Sequence, residues 1–289
     1  MSSFEHMSIL ACQIDIPKTR TKDNRNMHLD ALRTKVNKAL RRGPTDLVVL
    51  PELSSLEYSR CAFERLDELA EPLSGPSFDA WREVACEFAT HVAYSFPRQD
   101  GKNYYITLAV VGPTGDLVGY YDKIHLAQFG ASMEKEYFRP GERLFVFDIK
   151  GFRIAPIICA DIRIPELLRK LTIDHGADII IHSGAYARDP SFYSWHNFAI
   201  TRALENQVFF LSLNRAGLDF GKSMFCPPWV DQSEHIFSFD EHDEQFEKLI
   251  VDRRKITLAR DRYAFLKDRL QTYNLPLAGT TTGESKFVK

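Results

Sequence analysis

One stretch of the chain decides the fold, Ile154-Ala-Pro-Ile-Ile-Cys159-Ala-Asp-Ile-Arg163-Ile-Pro165-Glu166. An apolar strand runs directly into a cysteine, and a helix with proline in its first turn follows six residues later. Cys159 therefore lies at the apex of a strand-to-helix turn, where backbone N–H groups and cations can stabilise a thiolate. The same pattern also fits a small apolar side chain that ends a core strand, so this stretch leaves both interpretations of Cys159 open.

Outward from this turn, short apolar strands alternate with helical segments. The spacing of apolar residues predicts helices over 23–42, 77–90, 165–173, 191–205 and 254–262. Strands are predicted over 8–14, 47–50, 92–96, 104–111, 117–122, 143–149, 152–159, 178–182 and 207–213, with a late hairpin from 236–239 and 247–252. No internal repeat or long linker divides the chain. The alternation predicts one α/β domain.

The composition is that of an ordinary globular protein. The chain has 289 residues and a net charge of −2, so no basic excess indicates nucleic acid or an anionic membrane as partner. No apolar run approaches the roughly 20 residues of a membrane span, and no secretory leader is recognisable. Five cysteines without a close pair indicate reduced thiols. We therefore expect a cytoplasmic protein.

Two further polar side chains stand where predicted strands end. Glu52 follows the apolar run Leu47-Val-Val-Leu-Pro51, and Lys123 lies in Gly119-Tyr-Tyr-Asp-Lys-Ile-His-Leu126. Taken singly, each is also explained as a solvated loop residue. A cysteine nucleophile needs a base, which is usually a histidine. None of the candidate histidines occurs in a cysteine-protease signature; they are His125, His175, His182 and His196.

Taken together, these segments resemble the nitrilase, or carbon–nitrogen hydrolase, superfamily. Its three signatures match Pro51-Glu52, Tyr121-Asp-Lys-Ile-His-Leu126 and Cys159-x-Asp-x-Arg-x-Pro-Glu166, in the family's order. The separations are 71 residues from Glu52 to Lys123 and 36 residues from Lys123 to Cys159. The resemblance covers about residues 7–275.

The resemblance implies a four-layer αββα sandwich, with two mixed β-sheets face to face and helices outside. It also implies that Glu52, Lys123 and Cys159 form a catalytic triad. Glu52 would act as general base, and Cys159 would attack the substrate carbon to form a thioester-type acyl-enzyme. Lys123 and the backbone N–H of Ala160 would stabilise the oxyanion. No cofactor is implied, and no ligand pattern indicates a metal.

A second glutamate orients the substrate in many family members. The segment 133–141 resembles the one that carries it, and the alignment favours Glu134, with Glu136 as the alternative. Three aromatic residues are candidates for the pocket wall: Phe129, Tyr186 and Trp195. Trp195 is explained equally well as packing within its helix.

We expect a small-molecule amide as substrate, cleaved to a carboxylate and ammonia. A nitrilase or an N-carbamoyl-amine hydrolase is the alternative within the superfamily, and a non-catalytic binding scaffold is the alternative of another class. The branch that resembles N-carbamoyl-amino-acid hydrolases tends to carry two adjacent arginines after the cysteine, one of which grips the substrate carboxylate. Here only Arg163 remains, and we expect it in a structural ion pair. Arg60 or Arg188 could supply a carboxylate site instead.

The catalytic domain is predicted over residues 1–262, followed by a C-terminal tail over 263–289. The tail keeps apolar residues within a polar stretch, which is typical of a segment that docks on a surface. These residues are Tyr263, Phe265, Leu266, Leu275 and Leu277. The resemblance implies a homodimer or higher homo-oligomer, with the tail on the partner.

Overall fold

The computed structural model describes residues 5–276 and contains two six-stranded sheets with helices outside them. The strands are β1 His6–Gln13, β2 Leu47–Val49, β3 His91–Asp100, β4 Asn103–Val111, β5 Leu117–Asp122, β6 Phe147–Ile149, β7 Phe152–Ile158, β8 Ile179–Ser183, β9 Phe209–Leu213, β10 Met224–Cys226, β11 Phe237–Ser238 and β12 Gln245–Asp252. The helices are α1 Lys22–Leu40, α2 Arg60–Phe63, α3 Leu66–Leu69, α4 Pro76–Phe88, α5 Glu134–Tyr137, α6 Pro165–Arg169, α7 Phe192–Asn206, α8 Arg253–Arg262 and α9 Phe265–Asp268. A 3₁₀ turn, Cys159–Arg163, and a π-helical turn, Lys170–Asp174, flank α6.

Both sheets are mixed, which confirms the predicted fold class. The first has the order β12-β1-β2-β3-β4-β5, and the second has the order β11-β10-β9-β8-β7-β6. Strands β1, β2 and β3 are parallel to one another, as are β7, β8 and β9. The Ser183 hydroxyl at the end of β8 donates to the Leu50 carbonyl just past β2, at 2.8 Å. The carboxyl ends of the two parallel sets therefore meet across the sandwich, and the loops that leave them share one space.

The alternation of side chains along β1 explains the layers. Ile9 and Ala11 point into the apolar core between the sheets, whereas Leu10 and Cys12 point to the helix layer formed by α1 and α4. Helix α1 begins where the Thr21 hydroxyl accepts a hydrogen bond from the Asn24 N–H, which satisfies one of the free donors of the first turn. Strands with two buried faces thus become the two middle layers of four.

The predicted late hairpin is wrong. The two-residue strand β11 pairs with β10 in the second sheet, and β12 pairs with β1 in the first sheet along eight residues. A two-residue strand offers little pairing, whereas β1 presents a full-length open edge whose backbone groups must be paired. The connection between β11 and β12 crosses the end of the sandwich. There, the Gln13 side-chain amide donates to the carbonyls of Asp240 and Asp243.

The first part of the predicted tail packs on its own chain. Tyr263 stacks on Trp229 with ring centroids 3.8 Å apart, and Phe265 lies beside the same indole. Leu275 is 65% exposed, and Leu277 lies outside the described residues. Between residues 5 and 276, no helix is both long enough and apolar enough to cross a bilayer.

Candidate active site

A buried lysine lies between two buried carboxylates at the joined ends of the sheets. Lys123 Nζ is 2.8 Å from Glu52 Oε1 and 2.6 Å from Glu134 Oε1, and all three residues are fully buried. Lys123 directly follows β5, and Glu52 lies three residues past β2. Glu134 is the first residue of α5. The fold thus brings together Glu52, 71 residues before the lysine, and Glu134, 11 residues after it.

Cys159 lies beside this cluster on a strained turn. It adopts φ of 44°, which is rare for a residue with a side chain, and it is 7% exposed. The carboxylate of Asp161 holds the turn in place, since it accepts hydrogen bonds from the N–H of Ile158 at 3.0 Å and the N–H of His125 at 2.9 Å. The hydroxyl of Tyr121 donates to the same carboxylate at 2.8 Å. The spacing Cys-x-Asp therefore serves to fix the cysteine in position.

Burial and neighbouring charge shift the acidities of these groups. Burial raises the pKa of Glu52 to about 7, although the charge of Lys123 opposes the rise. Burial and the nearby Glu52 carboxylate raise the pKa of the Cys159 thiol, while Lys123 and a backbone hydrogen bond from Ala185 favour the thiolate. Burial disfavours the charged form of Lys123, but the surrounding acidic groups raise its pKa well above the usual value. Burial therefore favours the protonated thiol, and a carboxyl group of raised pKa lies close to it.

The two candidates for the accessory glutamate occupy different environments. Besides its contact with Lys123, Glu134 accepts hydrogen bonds from the Tyr58 hydroxyl at 2.8 Å and the Ala127 N–H at 2.8 Å. Glu136 is exposed and forms an ion pair with Arg60 at 2.7 Å. Of these two glutamates, only Glu134 forms an ion pair with Lys123.

The aromatic candidates lie on two sides of the cysteine turn. Tyr186 is buried, and its hydroxyl donates to the Cys159 carbonyl at 2.7 Å. Trp195 is fully buried and stacks on the Tyr186 ring, with centroids 4.8 Å apart and planes 6° apart. Trp195 therefore packs against Tyr186 and helps to fix the position of its ring. Phe129 is 42% exposed and lies against the guanidinium of Arg163.

The expectation of a structural ion pair for Arg163 is wrong. This arginine makes no ion pair with a described residue, and its Nε and Nη2 atoms are buried without a hydrogen-bond partner there. The guanidinium lies 4.6 Å from the Phe129 ring centroid and 5.6 Å from that of Phe198. The turn directs the side chain between these two aromatic rings. By contrast, Arg60 is bound to Glu136 and Arg188 to Glu241.

The sequence did not predict the groups that hold the loops of the candidate site by their backbone. The buried guanidinium of Arg215 donates to the carbonyls of Glu52, Leu53 and Leu56 at 2.9–3.1 Å. Burial lowers the pKa of Arg215 to about 10. The sequence offered His182 as a candidate base, but its Nε2 lies 3.0 Å from the Cys159 carbonyl. The pair Asn214-Arg215, just past the strand predicted over 207–213, also resembles the family pattern, and this is the one signal in the sequence for the arginine.

Comparison with known proteins identifies the family of this chain. The family model described as carbon-nitrogen hydrolase matches residues 9–234. The chain is 30% identical to a nitrilase of Pyrococcus abyssi over 247 residues, which cover 82% of this chain and 89% of the other. It is 32% identical to the 2-oxoglutaramate amidase of Bacillus subtilis over 191 residues, which cover 64% and 71%. The solved structure of Saccharomyces cerevisiae Nit3, of the nitrilase superfamily, superposes with a TM-score of 0.78 at 25% identity and covers 90% of this chain and 94% of that one.

The chain therefore belongs to the carbon–nitrogen hydrolase family, as the sequence predicted. It is an enzyme that hydrolyses carbon–nitrogen bonds.

Proposed function

We propose that this enzyme is an amidase that cleaves a carboxamide to a carboxylate and ammonia through an acyl-enzyme on Cys159. The observation that carries the proposal is the fully buried Lys123 between Glu52 and Glu134, next to a cysteine on a strained turn. Burying a cation and two carboxylates costs desolvation free energy, and apolar side chains would fill the same space at lower cost. Such a cluster is typical of a functional site.

The first half of the reaction forms the acyl-enzyme. Glu52 takes the thiol proton as Cys159 sulfur bonds to the amide carbon, and the carbonyl electron pair moves onto oxygen. The free Oε2 atom of Glu52, which is buried and has no hydrogen-bond partner among the described residues, suits this role. Lys123 and the Ala160 N–H stabilise the oxyanion. Collapse breaks the carbon–nitrogen bond, and Glu52 gives its proton to the departing ammonia.

The second half releases the acid. Glu52 takes a proton from water as the water oxygen attacks the thioester carbon, and the carbon–sulfur bond then breaks. The proton returns to the cysteine sulfur, so the site ends as it began. Glu134 stays fixed by Lys123, Tyr58 and the Ala127 N–H, a position from which it orients the substrate.

We further propose that the preferred amide carries an acidic group. The two unpartnered guanidinium nitrogens of Arg163, four residues after Cys159, offer the charged donors that a carboxylate accepts. The 2-oxoglutaramate amidase relative acts on an amide of this kind. Arg163→Met should therefore raise KM for an acidic monoamide and leave KM for a neutral aliphatic amide unchanged. An equal effect on both amides would contradict this role.

Ammonia release tests the amidase proposal. Wild-type enzyme should hydrolyse a small aliphatic amide with a kcat/KM at least tenfold above that for the matched nitrile and the matched N-carbamoyl amino acid, a margin of about 1.4 kcal/mol in transition-state binding. Cys159→Ala should keep the fold and lose all turnover. The nitrilase relative makes the nitrile the second candidate substrate. A preference for the nitrile, or for the carbamoyl compound with release of carbon dioxide, would overturn the amide assignment. Binding without turnover would indicate a scaffold.

We also propose that the enzyme is at least a homodimer, with the distal tail on the partner. The exposed Leu275 in a polar segment supports this assignment.

A further inference from the structure

The carbonyl oxygen of Cys159 receives two side-chain hydrogen bonds. The Tyr186 hydroxyl donates to it at 2.7 Å, and His182 Nε2 donates at 3.0 Å. Both donors are buried and neutral groups. This carbonyl belongs to the peptide unit whose N–H is that of Ala160, the backbone donor in the proposed reaction. In a trans peptide unit the C=O and the N–H point in opposite directions, so the two donors lie on the edge opposite the Ala160 N–H.

We propose that Tyr186 and His182 are positioning residues that orient and polarise the Cys159–Ala160 peptide unit for oxyanion stabilisation. The proposal rests on the proposed function, because it assigns the Ala160 N–H to the oxyanion. A peptide unit is planar, so donors that fix the direction of its C=O also fix the direction of its N–H. Hydrogen bonds accepted by the oxygen strengthen the bond that the nitrogen can donate. Ala160 lies in the first turn of the 3₁₀ segment, where N–H groups have no partner within the helix.

The Cys159 carbonyl fixes the tautomer of His182. A carbonyl only accepts, so Nε2 carries the proton, and Nδ1 accepts from the Ser212 hydroxyl at 2.7 Å. Burial lowers the pKa of His182 to about 4, which keeps the ring neutral at working pH. The charged groups that face it electrostatically are Asp161 and Lys123, and their effects oppose each other. The ring therefore acts as a fixed donor and not as a base.

Tyr186 is held as firmly as His182. Its ring stacks on Trp195, and its backbone N–H and carbonyl both bond to the side-chain amide of Asn214, at 2.8 Å and 3.1 Å. The backbone of Cys159 is in the left-handed region, which persists only where the surroundings hold it. The hydrogen bonds from Tyr186 and His182 help to hold this backbone conformation. They act on Cys159, the residue that carries the proposed nucleophile and directly precedes the Ala160 N–H.

The expected size follows from the strength of the donor. Loss of one oxyanion donor costs about 10²–10³-fold in kcat, and cooperative strengthening is roughly 10–30% per bond. Removing one of the two donors should therefore lower kcat by roughly two- to eightfold. The ground-state substrate does not depend on this polarisation, so KM should stay nearly constant.

The sequence permits a direct measurement on the peptide unit itself. With carbonyl-¹³C cysteine and ¹⁵N alanine, only two Cys–Ala peptides give signals in a carbonyl-correlated NMR spectrum, Cys61–Ala62 and Cys159–Ala160. Tyr186→Phe and Ser212→Ala should each move the Ala160 signal to lower frequency and leave the Ala62 signal in place. Tyr94→Phe is the matched control, because the Tyr94 hydroxyl is also buried but has no partner among the described residues. An Ala160 signal that does not move in Tyr186→Phe would overturn the proposal.

Kinetics test the catalytic consequence. In Tyr186→Phe, kcat should fall by roughly two- to eightfold at constant KM, and the inhibition constant of a matched aldehyde, which forms a tetrahedral adduct, should rise by the same factor. Labelling of Cys159 by methyl methanethiosulfonate, which has no carbonyl, should keep its rate. A change in KM or in thiol labelling alone would assign these residues a merely structural role. If wild-type enzyme hydrolyses no amide, the proposed function fails, whereas the NMR measurement still decides the polarisation.

Discussion

Replacing Glu52 by glutamine should make the enzyme inactive and, at the same time, no less stable. Glu52→Gln keeps the shape of the side chain and an oxygen that can accept from Lys123 Nζ, which now lies 2.8 Å from Glu52 Oε1. It removes one of the two negative charges beside the lysine. Lys123 and Glu134, 2.6 Å apart, then remain as a neutral pair. The variant loses the proposed base without leaving a buried charge unpaired.

The size of the stability effect comes from the pKa of Glu52. Burial raises it from 4.5 to about 7, so the folded protein binds this proton more tightly than the unfolded chain does. Below pH 4.5, Glu52 is protonated in both states and its ionisation does not affect the free energy of unfolding. As the pH rises from 4.5 to 7 the folded state loses stability, and above pH 7 the loss is complete. A shift of this size is about 3 kcal/mol. At pH 8, Glu52→Gln should match or exceed the wild-type free energy of unfolding, by up to about 3 kcal/mol, and at pH 4 the two should be equal.

Two assays separate stability from activity. Urea denaturation at pH 4 and pH 8 measures the free energy of unfolding, and ammonia release from the best amide measures kcat/KM. Wild-type kcat/KM should rise with pH to a midpoint near 7, because Glu52 accepts a proton only when ionised. The variant should lose that rise, together with about 10²–10⁴-fold of turnover. Our reasoning is refuted if the variant keeps the pH profile, or if it is less stable than wild type by several kcal/mol at pH 8.

Further predictions concern the rest of the cluster and the assembly. Lys123→Ala should lower kcat by about 10²–10³-fold and destabilise the fold by roughly 3–5 kcal/mol, since two buried carboxylates lose their cation. The control is Arg25→Met, which removes the cation of a second buried ion pair. It should lower stability and keep turnover. Glu134→Gln should lower turnover at least tenfold, whereas Glu136→Gln should leave it nearly unchanged; the reverse order would move the accessory role to Glu136. Light scattering at micromolar concentration should give at least twice the chain mass of 33.2 kDa, and a monomer mass would refute the proposed dimer.

The sequence was sufficient for the parts of this molecule that rest on local pattern. The pattern of apolar residues predicted the strands of both sheets except β10, which has only three residues, and the Cys159-to-Glu166 run predicted the strand-to-helix turn. The late hairpin was wrong because residue spacing carries no information on which open edge a strand will join. Strand β12 pairs with the long edge of β1, because the nearby strand β11 is too short to offer a comparable set of backbone hydrogen bonds. The choice between Glu134 and Glu136 also stayed open, since the two differ only in which side of one short helix they occupy.

The side chains that hold the site by its backbone escaped prediction for a physical reason. Arg215 reaches three carbonyls of the Glu52 loop, and a carbonyl is present at every residue, so no partner residue marks the contact in the sequence. This buried arginine makes no ion pair with a described residue, and its hydrogen bonds instead hold Leu53 in the left-handed conformation that turns Glu52 toward Lys123. The same holds for Tyr186 and His182 at the Cys159 carbonyl. The proposed reacting groups follow from residue type, whereas their orientation follows from contacts that only the folded chain creates.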